Sequence, residues 1–222
     1  MKDNYIHVCF VIDSSGSMSN MVSDVKAGFD KIIKEQKEND KGQCSISLFT
    51  FGSNVEEKFN GKDVKEVDNL EYNPMGMTAM NDGIGTAIDK TGAWLRDMKE
   101  EERPSKVLVV IMTDGEENYS KEYTLEKVKE MVSHQQERYN WSFTFIGCDV
   151  TNKKDADNLG IKTRGFSSKK NYFKNYDILN DGLRSYRCAS MAVADSCLNE
   201  TLSTSWNAMT EEYEKEIGTK LT

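Results

Sequence analysis

Three oxygen-bearing side chains at alternate positions, Asp13, Ser15 and Ser17, follow an apolar run in the sequence VIDSSGSMS. One carboxylate beside several hydroxyls could belong to a serine nucleophile, a phosphate-binding loop, an aspartyl phosphatase or a metal site. Each of these chemistries needs further partner residues, so the rest of the chain decides between them.

A serine nucleophile requires a histidine base and, in the α/β hydrolases, the pattern G-x-S-x-G. Neither Ser15 nor Ser17 has that pattern, and the chain contains two histidines. His7 lies inside the first predicted strand, and His134 lies on a predicted helix away from the strand ends. These positions argue against serine hydrolysis.

The phosphate-binding alternatives also lack their partners. The sequence contains no G-x-x-x-x-G-K-[ST] pattern, and GIGTAI at Gly83 follows a loop, so helix packing explains its glycines. A haloacid-type phosphatase needs a second aspartate two residues after Asp13. Ser15 stands there, and a hydroxyl cannot act as a general acid at neutral pH. A metal-dependent phosphohydrolase using Asp13 remains as the alternative function.

The elements that must position these side chains alternate between strands and helices. Four apolar runs, YIHVCFVID, CSISLFTFGS, KVLVVIMTDG and WSFTFIGCDV, are typical of buried strands, and helical spacing lies between them. VEEKF after Gly52 favours a hairpin with an antiparallel edge strand. This order predicts an α/β fold with a doubly wound, mostly parallel sheet and helices on both faces.

In such a sheet, ligands bind at the carboxyl ends of the strands. Four polar loops follow or border those ends: DSSGSMS, NPMGMTAMND, TDGEEN and CDVTNKK. Mg²⁺ (or Mn²⁺) takes oxygen ligands, and two carboxylates roughly balance its charge. The sequence therefore predicts a metal site formed by Asp13, Ser15, Ser17, Thr78 and Asp114.

The same residues carry a family resemblance. D-x-S-x-S at Asp13, Ser15 and Ser17, GMT ending in Thr78, and MTDG with Asp114 resemble the von Willebrand factor A (vWA) domain. The resemblance implies a metal-ion-dependent adhesion site at these five positions and a sheet of six strands. It also implies a protein partner whose Asp or Glu completes the metal coordination.

The resemblance covers roughly residues 5–188. It also implies that Asp82, four residues after Thr78, holds its loop in place; a solvated carboxylate at a helix N-terminus is the competing interpretation. The chain departs from the extracellular members because it has no signal peptide and no disulfide framework. It is more similar to the small intracellular members of bacteria and their phages.

Composition limits location and partners. A net charge of -8 opposes non-specific binding to nucleic acid and attraction to anionic membranes. The N-terminus is not organised as a signal peptide, the apolar runs are too short to cross a bilayer, and the five cysteines have no C-x-x-C spacing. We therefore expect a cytoplasmic protein. Because no histidine reaches the strand ends and no second aspartate flanks Asp13, we also expect it to be non-catalytic. The sequence carries no signal for its oligomeric state.

Two segments are expected along the chain. Residues 1–190 would form the vWA domain, and residues 191–222 would form a C-terminal helical extension or tail. Docking of this helix on the protein's own sheet layer is the favoured interpretation, ahead of recruitment of a partner or of a second copy of the chain. The segment carries four large apolar side chains at helical spacing: Trp206, Met209, Tyr213 and Ile217.

Overall fold

A computed structural model describes residues 1–148, 150–218 and 220, and at residues 150, 151 and 153 it describes the backbone alone. The strands are β1 (Lys2–Asp13), β2 (Gln43–Phe51), β3 (Val55–Asp63), β4 (Pro104–Met112), β5 (Ser142–Gly147) and β6 (Thr163–Phe166). The α-helices are α1 (Val22–Glu38), α2 (Met80–Asp97), α3 (Leu125–Tyr139), α4 (Val150–Asn158), α5 (Lys174–Cys188) and α6 (Ala194–Ile217).

The six strands form one sheet in the order β3-β2-β1-β4-β5-β6. β1 pairs in parallel with β2 and β4, and the parallel arrangement continues through β5 to β6. β3 pairs antiparallel with β2 at one edge. The predicted doubly wound, mostly parallel sheet with one antiparallel edge strand is confirmed. The strand order reverses between β1 and β4, which places the topological switch point between their ends.

Helices cover both faces of the sheet, and β1 shows why its sequence is a continuous apolar run. Val8, Phe10 and Ile12 point into a core formed with α1, α5 and α6, whereas Cys9 and Val11 point into a second core formed with α2 and α3. All five side chains are fully buried. Because successive side chains of a strand face opposite sides, a strand covered on both faces needs apolar residues at every position.

The chain after β1 first forms a 3₁₀ segment, Gly16–Met21, and becomes α-helical at Val22. Met18 and Met21 are three residues apart and are both buried. A 3₁₀ helix has three residues per turn, so this spacing places both methionines on the same face. The tighter first turn keeps the residues after Asp13 close to the sheet edge.

The last helix, α6, packs against α5 and β6. Leu198, Leu202 and Trp206 are fully buried in the core that α1 and α5 also line. Trp206 lies over Gly165 of β6, where a Cβ atom would fall 2.6 Å from the indole ring. The proposed extension, residues 191–222, thus includes a helix that packs on the rest of the chain.

Within the described ranges, α6 and the other helices all lack the combination of length and apolar character that spanning a bilayer requires.

Candidate metal centre

Two neighbouring parallel strands bring the two candidate carboxylates to one edge of the sheet. Asp13 is the last residue of β1, and Asp114 lies two residues beyond the end of β4. The two strands are paired from Ile6↔Lys106 to Ile12↔Met112, so their carboxyl ends coincide. Both aspartates therefore stand at the topological switch point, where a doubly wound sheet binds its ligands.

Asp13 is fully buried, and both of its carboxylate oxygens are engaged. Oδ1 accepts a hydrogen bond from the backbone N–H of Ser15 at 2.6 Å, and Oδ2 accepts one from Thr113 Oγ1 at 2.6 Å. Burial, with a smaller contribution from the nearby Asp114, raises the pKa of Asp13 to about 6, although the hydrogen bonds from Thr113 and Ser15 oppose this rise. A neighbouring cation would stabilise the ionised form of this buried carboxylate.

The serine hydroxyls connect the two aspartates. Ser15 Oγ lies 3.0 Å from Ser17 Oγ, and Ser17 Oγ donates a hydrogen bond to Asp114 Oδ1 at 2.6 Å. Ser15 is buried, and the side chain of Asp114 has no exposed surface. The D-x-S-x-S segment thus forms a continuous set of oxygens from the end of β1 to the loop after β4.

Thr78 reaches the site from a loop whose backbone is bonded to its neighbours. The N–H of Met75 donates to Ser14 O at 2.7 Å, and the N–H of Gly16 donates to Gly76 O at 3.0 Å. Gly76 has a φ of +83°, a left-handed conformation that favours glycine. These bonds fix the position of the Thr78 hydroxyl relative to the loop that follows Asp13.

Asn118 fixes Thr78 from the other side. Its side-chain Oδ1 accepts a hydrogen bond from the N–H of Thr78 at 3.0 Å, and its own N–H donates to Thr78 O at 3.0 Å. The loop after β4 and the loop before α2 are therefore joined by a reciprocal pair of bonds. Thr78 is thereby held against the loop that also carries Asp114.

Gly115 shows that three of the candidate oxygens surround one small space. A Cβ atom at this position would lie 3.3 Å from Thr78 Oγ1, 3.4 Å from Ser17 Oγ and 3.7 Å from Asp13 Oδ2. Glycine leaves this space free of a side chain. Three oxygens from two separate loops around one point form a donor set that suits a hard divalent cation.

The donor set depends on its hydroxyls. In the parts of the chain that the structure describes, His, Cys, Asp and Glu side chains do not form a group of three or more that could hold a metal ion. The candidate ligands are therefore two carboxylates and three neutral hydroxyls, and every donor atom is an oxygen. The structure brings together all five positions predicted from the sequence: Asp13, Ser15, Ser17, Thr78 and Asp114.

Asp82 supports the site without facing it. Its carboxylate accepts hydrogen bonds from the backbone N–H groups of Lys121, Glu122 and Tyr123 at 2.8–2.9 Å. Only 8% of the residue is exposed. Asp82 is therefore not a solvated carboxylate at a helix N-terminus; it holds the segment that follows the Asp114 loop.

Several supporting residues were not predicted. Glu117 accepts hydrogen bonds from the N–H groups of Asn81, Tyr119 and Ser120 at 2.7–2.9 Å. It thereby ties the loop after β4 to the first turn of α2. In TDGEEN two glutamates are adjacent, and the pattern alone does not distinguish the half-buried, hydrogen-bonded Glu117 from the exposed Glu116.

The fourth polar loop, CDVTNKK, contributes through Asn152. Its Nδ2 donates to Gly115 O at 2.7 Å, and its Oδ1 accepts from the N–H of Cys148 at 2.9 Å. Asn152 is fully buried and links the loop after β5 to the turn at Gly115. The aspartate of this loop, Asp149, lies outside the described residues.

Lys169 is a further unpredicted member of the site. It stands on a short 3₁₀ helix, Lys169–Asn171, that follows β6. Its Nζ forms an ion pair with Asp114 Oδ2, although 49% of the lysine side chain is exposed. Nothing in the sequence near Lys169 indicates this contact, because its partner is 55 residues away along the chain.

The two histidines lie away from these oxygens. His7 Nδ1 is 2.9 Å from Ser45 Oγ, its Nε2 is 3.1 Å from Ser47 Oγ, and burial lowers its pKa to about 3. It stands six residues before Asp13 on an extended strand, which corresponds to roughly 20 Å. The ring of His134 packs against that of Tyr139 at the end of α3.

Comparison with known proteins identifies one family. The sequence profile described as the von Willebrand factor type A domain matches residues 7–180. Among curated proteins, none matches the chain. Many solved structures resemble it, and their identities to the chain are low.

Proximal thread matrix protein 1 of the mussel byssus, solved with a zinc-occupied MIDAS motif, matches with a TM-score of 0.56 and 20% identity, over 80% of this chain and 45% of that one. The PilB minor pilin of Streptococcus sanguinis matches with a TM-score of 0.59 and 14% identity, over 83% and 62%. The vWF domain of the type V pili tip protein Mfa5 of Porphyromonas gingivalis matches with a TM-score of 0.61 and 10% identity, over 83% and 96%. At these identities the likeness concerns the fold alone, and the chain spans about half of the mussel protein.

Proposed function

The chain belongs to the von Willebrand factor type A domain family, and on that basis we propose that it is a divalent-metal-dependent protein-binding module. Asp13, Ser15, Ser17, Thr78 and Asp114 would hold Mg²⁺ or Mn²⁺ as a metal-ion-dependent adhesion site. The observation that carries this proposal is the arrangement of the Asp13, Ser17 and Thr78 oxygens within 3.7 Å of one point beside Gly115.

Each residue has a distinct role in this proposal. Asp13 and Asp114 supply two negative charges, and the three hydroxyls supply neutral oxygens, so the site balances a divalent charge without exceeding it. When bound, the cation supplies a Lewis-acidic position that an oxygen of another molecule can approach. Thr113 orients the Asp13 carboxylate through its 2.6 Å hydrogen bond, and Asn118 orients Thr78.

The partner group that suits this site is a carboxylate. Because three of the five protein ligands are neutral, an anionic oxygen is favoured over a neutral one at the remaining position. We propose that an Asp or Glu of a protein partner supplies it. The mussel protein supports a role of this kind by analogy of fold, since its structure has a zinc-occupied MIDAS motif.

The rim of the site supplies an apolar contact for the same partner. Met75 and Met77 are 73% and 45% exposed, on either side of Gly76 and just before Thr78. Their backbone is fixed, since Met75 N–H donates to Ser14 O at 2.7 Å and Met77 N–H donates to Ser53 Oγ at 2.9 Å. Methionine side chains adapt to varied apolar surfaces, which favours a partner with an apolar residue beside its acidic one.

A selection from a phage-displayed random peptide library tests the proposed partner chemistry. In Mg²⁺ we expect the selected peptides to share one Asp or Glu next to an apolar residue, and to be released by EDTA. A protein with both Met75 and Met77 changed to Gln should lose the apolar preference and keep the acidic one. A matched change at the remote, 47% exposed Met191 should alter neither. Peptides without an acidic residue that remain bound in EDTA would contradict the proposal.

We further propose that the module is not an enzyme. Ser15 occupies the position where a phosphatase of the haloacid type would carry its general acid, and His7 is about 20 Å along the strand from Asp13. The mussel matrix protein and the streptococcal minor pilin share the fold, and this likeness supports a non-catalytic role. Metal-dependent hydrolysis of a generic phosphoester, lost in Asp13→Asn, would favour the phosphohydrolase alternative.

A cytoplasmic location, of the kind found in the small bacterial and phage members, is also proposed. Cys9 and Cys44 are buried, and burial raises the pKa of each thiol to about 12, so both stay protonated. Buried thiols of this kind suit a reducing compartment. Fractionation of the cells that produce the protein tests this: recovery from a secreted or surface fraction would contradict it.

A further inference from the structure

A lysine ammonium lies beside one of the two candidate aspartates. Lys169 Nζ pairs with Asp114 Oδ2, while Asp114 Oδ1 accepts the hydroxyl of Ser17 at 2.6 Å. The Asp114 side chain is fully buried, so this carboxylate depends on its partners for charge compensation. The lysine side chain is half exposed, and its ammonium reaches the site from the solvent side.

The backbone that carries Lys169 is fixed independently of this contact. The N–H of Ser167 donates to Gly147 O at 3.2 Å, and Asn175 Nδ2 donates to Ser167 Oγ at 2.9 Å. The segment is thus bonded to the end of β5 on one side and to α5 on the other. The ammonium stands on a flexible four-carbon stem, so it can leave Asp114 without any movement of the backbone.

We propose that Lys169 is a tethered counterion of the metal site, which compensates Asp114 in the metal-free protein and must be displaced when a divalent ion binds. This inference rests on the proposed function, because it concerns access to the same five ligands. Asp114 Oδ2 cannot at once hold an ammonium and belong to a divalent ion's coordination shell without close repulsion between the two cations. The lysine therefore lowers the metal affinity and sets the metal concentration at which the module becomes able to bind its partner.

Calorimetric titration of the full chain with MnCl₂ and MgCl₂ tests the inference. Lys169→Gln should bind either ion roughly tenfold more tightly, since a charge-assisted hydrogen bond no longer competes. Lys169→Arg keeps the positive charge and should stay close to the wild type. Lys170→Gln changes the adjacent exposed lysine, which serves as the matched control, and should leave the affinity unchanged within about twofold.

Thermal unfolding supplies a second readout. In EDTA, Lys169→Gln should melt at a lower temperature than the wild type because Asp114 is then buried without a counterion. Saturating Mn²⁺ should remove this difference, since the bound ion replaces the ammonium. A deficit that persists in saturating metal would mean that Lys169 is a structural ion pair and would overturn the inference.

Amine-reactive labelling of the unmutated protein, followed by mass spectrometry, keeps the inference testable if a variant fails to fold. Labelling of Lys169 should rise when Mg²⁺ is added to the metal-free protein, whereas labelling of Lys170 should stay constant. Unchanged labelling of Lys169 at saturating metal, or equal metal affinity of Lys169→Gln and wild type, would overturn the counterion role alone. Failure of every protein to bind metal would overturn the proposed function together with it.

Discussion

Thr113 Oγ1 lies 2.6 Å from Asp13 Oδ2, so a side chain from the end of β4 fixes the carboxylate at the end of β1. The same hydroxyl accepts the N–H of Gly115 at 3.1 Å, which shapes the turn that carries Asp114. One threonine thereby couples the two strand ends that supply the two candidate carboxylates. The geometry of the site depends on it, although Thr113 is not one of the five candidate ligands.

Replacing Thr113 by Val should therefore weaken both the fold and the site. The buried Asp13 carboxylate would lose a hydrogen-bond donor, at a cost of about 1–3 kcal/mol in the free energy of unfolding. Metal affinity should fall roughly tenfold, because Asp13 is no longer held in place. Thr113→Ser restores the hydroxyl and should recover the affinity; equal calorimetric affinities for Val and Ser would contradict the role assigned to Thr113.

Gly115→Ala tests the space at the centre of the site. The added methyl group would lie 3.3–3.7 Å from the oxygens of Thr78, Ser17 and Asp13, where the metal ion is proposed to bind. We expect metal binding to weaken at least tenfold while the melting temperature in EDTA changes little. Calorimetric titration with MnCl₂ and thermal unfolding in EDTA give the two values.

Gly92→Ala is the matched control for that substitution. Gly92 lies in the middle of α2, and a Cβ atom there meets nothing within 4 Å. Because alanine favours the helix over glycine, this variant should gain about 0.5–1 kcal/mol in stability and bind metal as the wild type does. Unchanged metal affinity in Gly115→Ala would place the ion elsewhere.

The ligand residues could be predicted because their signals are local. Asp13, Ser15 and Ser17 fall within five residues, and Asp114 lies two residues after a run that is apolar on both faces of its strand. Such a run identifies a central parallel strand and therefore the edge where its loop must lie. The sheet could be predicted for the same reason, because the apolar pattern of each buried strand and each amphipathic helix lies within that element's own sequence.

The supporting contacts could not be predicted because they depend on register and on loop conformation. Lys169 reaches Asp114 only because β6 ends beside β5, and Asn152 reaches Gly115 only because α4 turns back over the sheet edge. Neither residue type is distinctive in its own segment. The 3₁₀ start before α1 is of the same kind, because it depends on a bond between Gly16 and the Gly76 loop.

His7 should make the stability of the protein depend on pH. Burial lowers its pKa in the folded state to about 3, from 6.5. The unfolded chain therefore binds a proton first as the pH falls, and the stability is lost progressively below about 6.5. His7→Gln removes the titrating group, so the melting temperature of this variant should fall less than that of the wild type between pH 7 and pH 4. Parallel curves for the two proteins would contradict this prediction.

Trp206 should matter strongly for stability, because it attaches α6 to the sheet. It is fully buried over Gly165. Trp206→Ala should lower the free energy of unfolding by about 3–5 kcal/mol, the usual cost of emptying a large aromatic site. Ile217→Ala, at a position 37% exposed near the end of the same helix, should cost far less. Denaturant unfolding measures both, and equal losses would mean that α6 is not docked through Trp206.

Calorimetric titration of MnCl₂ into the wild type and Asp13→Asn tests the central claim most directly. The isosteric change removes one of the two charges while preserving the shape of a fully buried side chain. A matched change, Asp68→Asn, removes a carboxylate whose side chain is 95% exposed. We predict that the wild type and Asp68→Asn each bind one Mn²⁺ and that Asp13→Asn binds none detectably. The melting temperature of Asp13→Asn should be no lower than that of the metal-free wild type. Equal binding by all three proteins, or binding by none, would contradict the account.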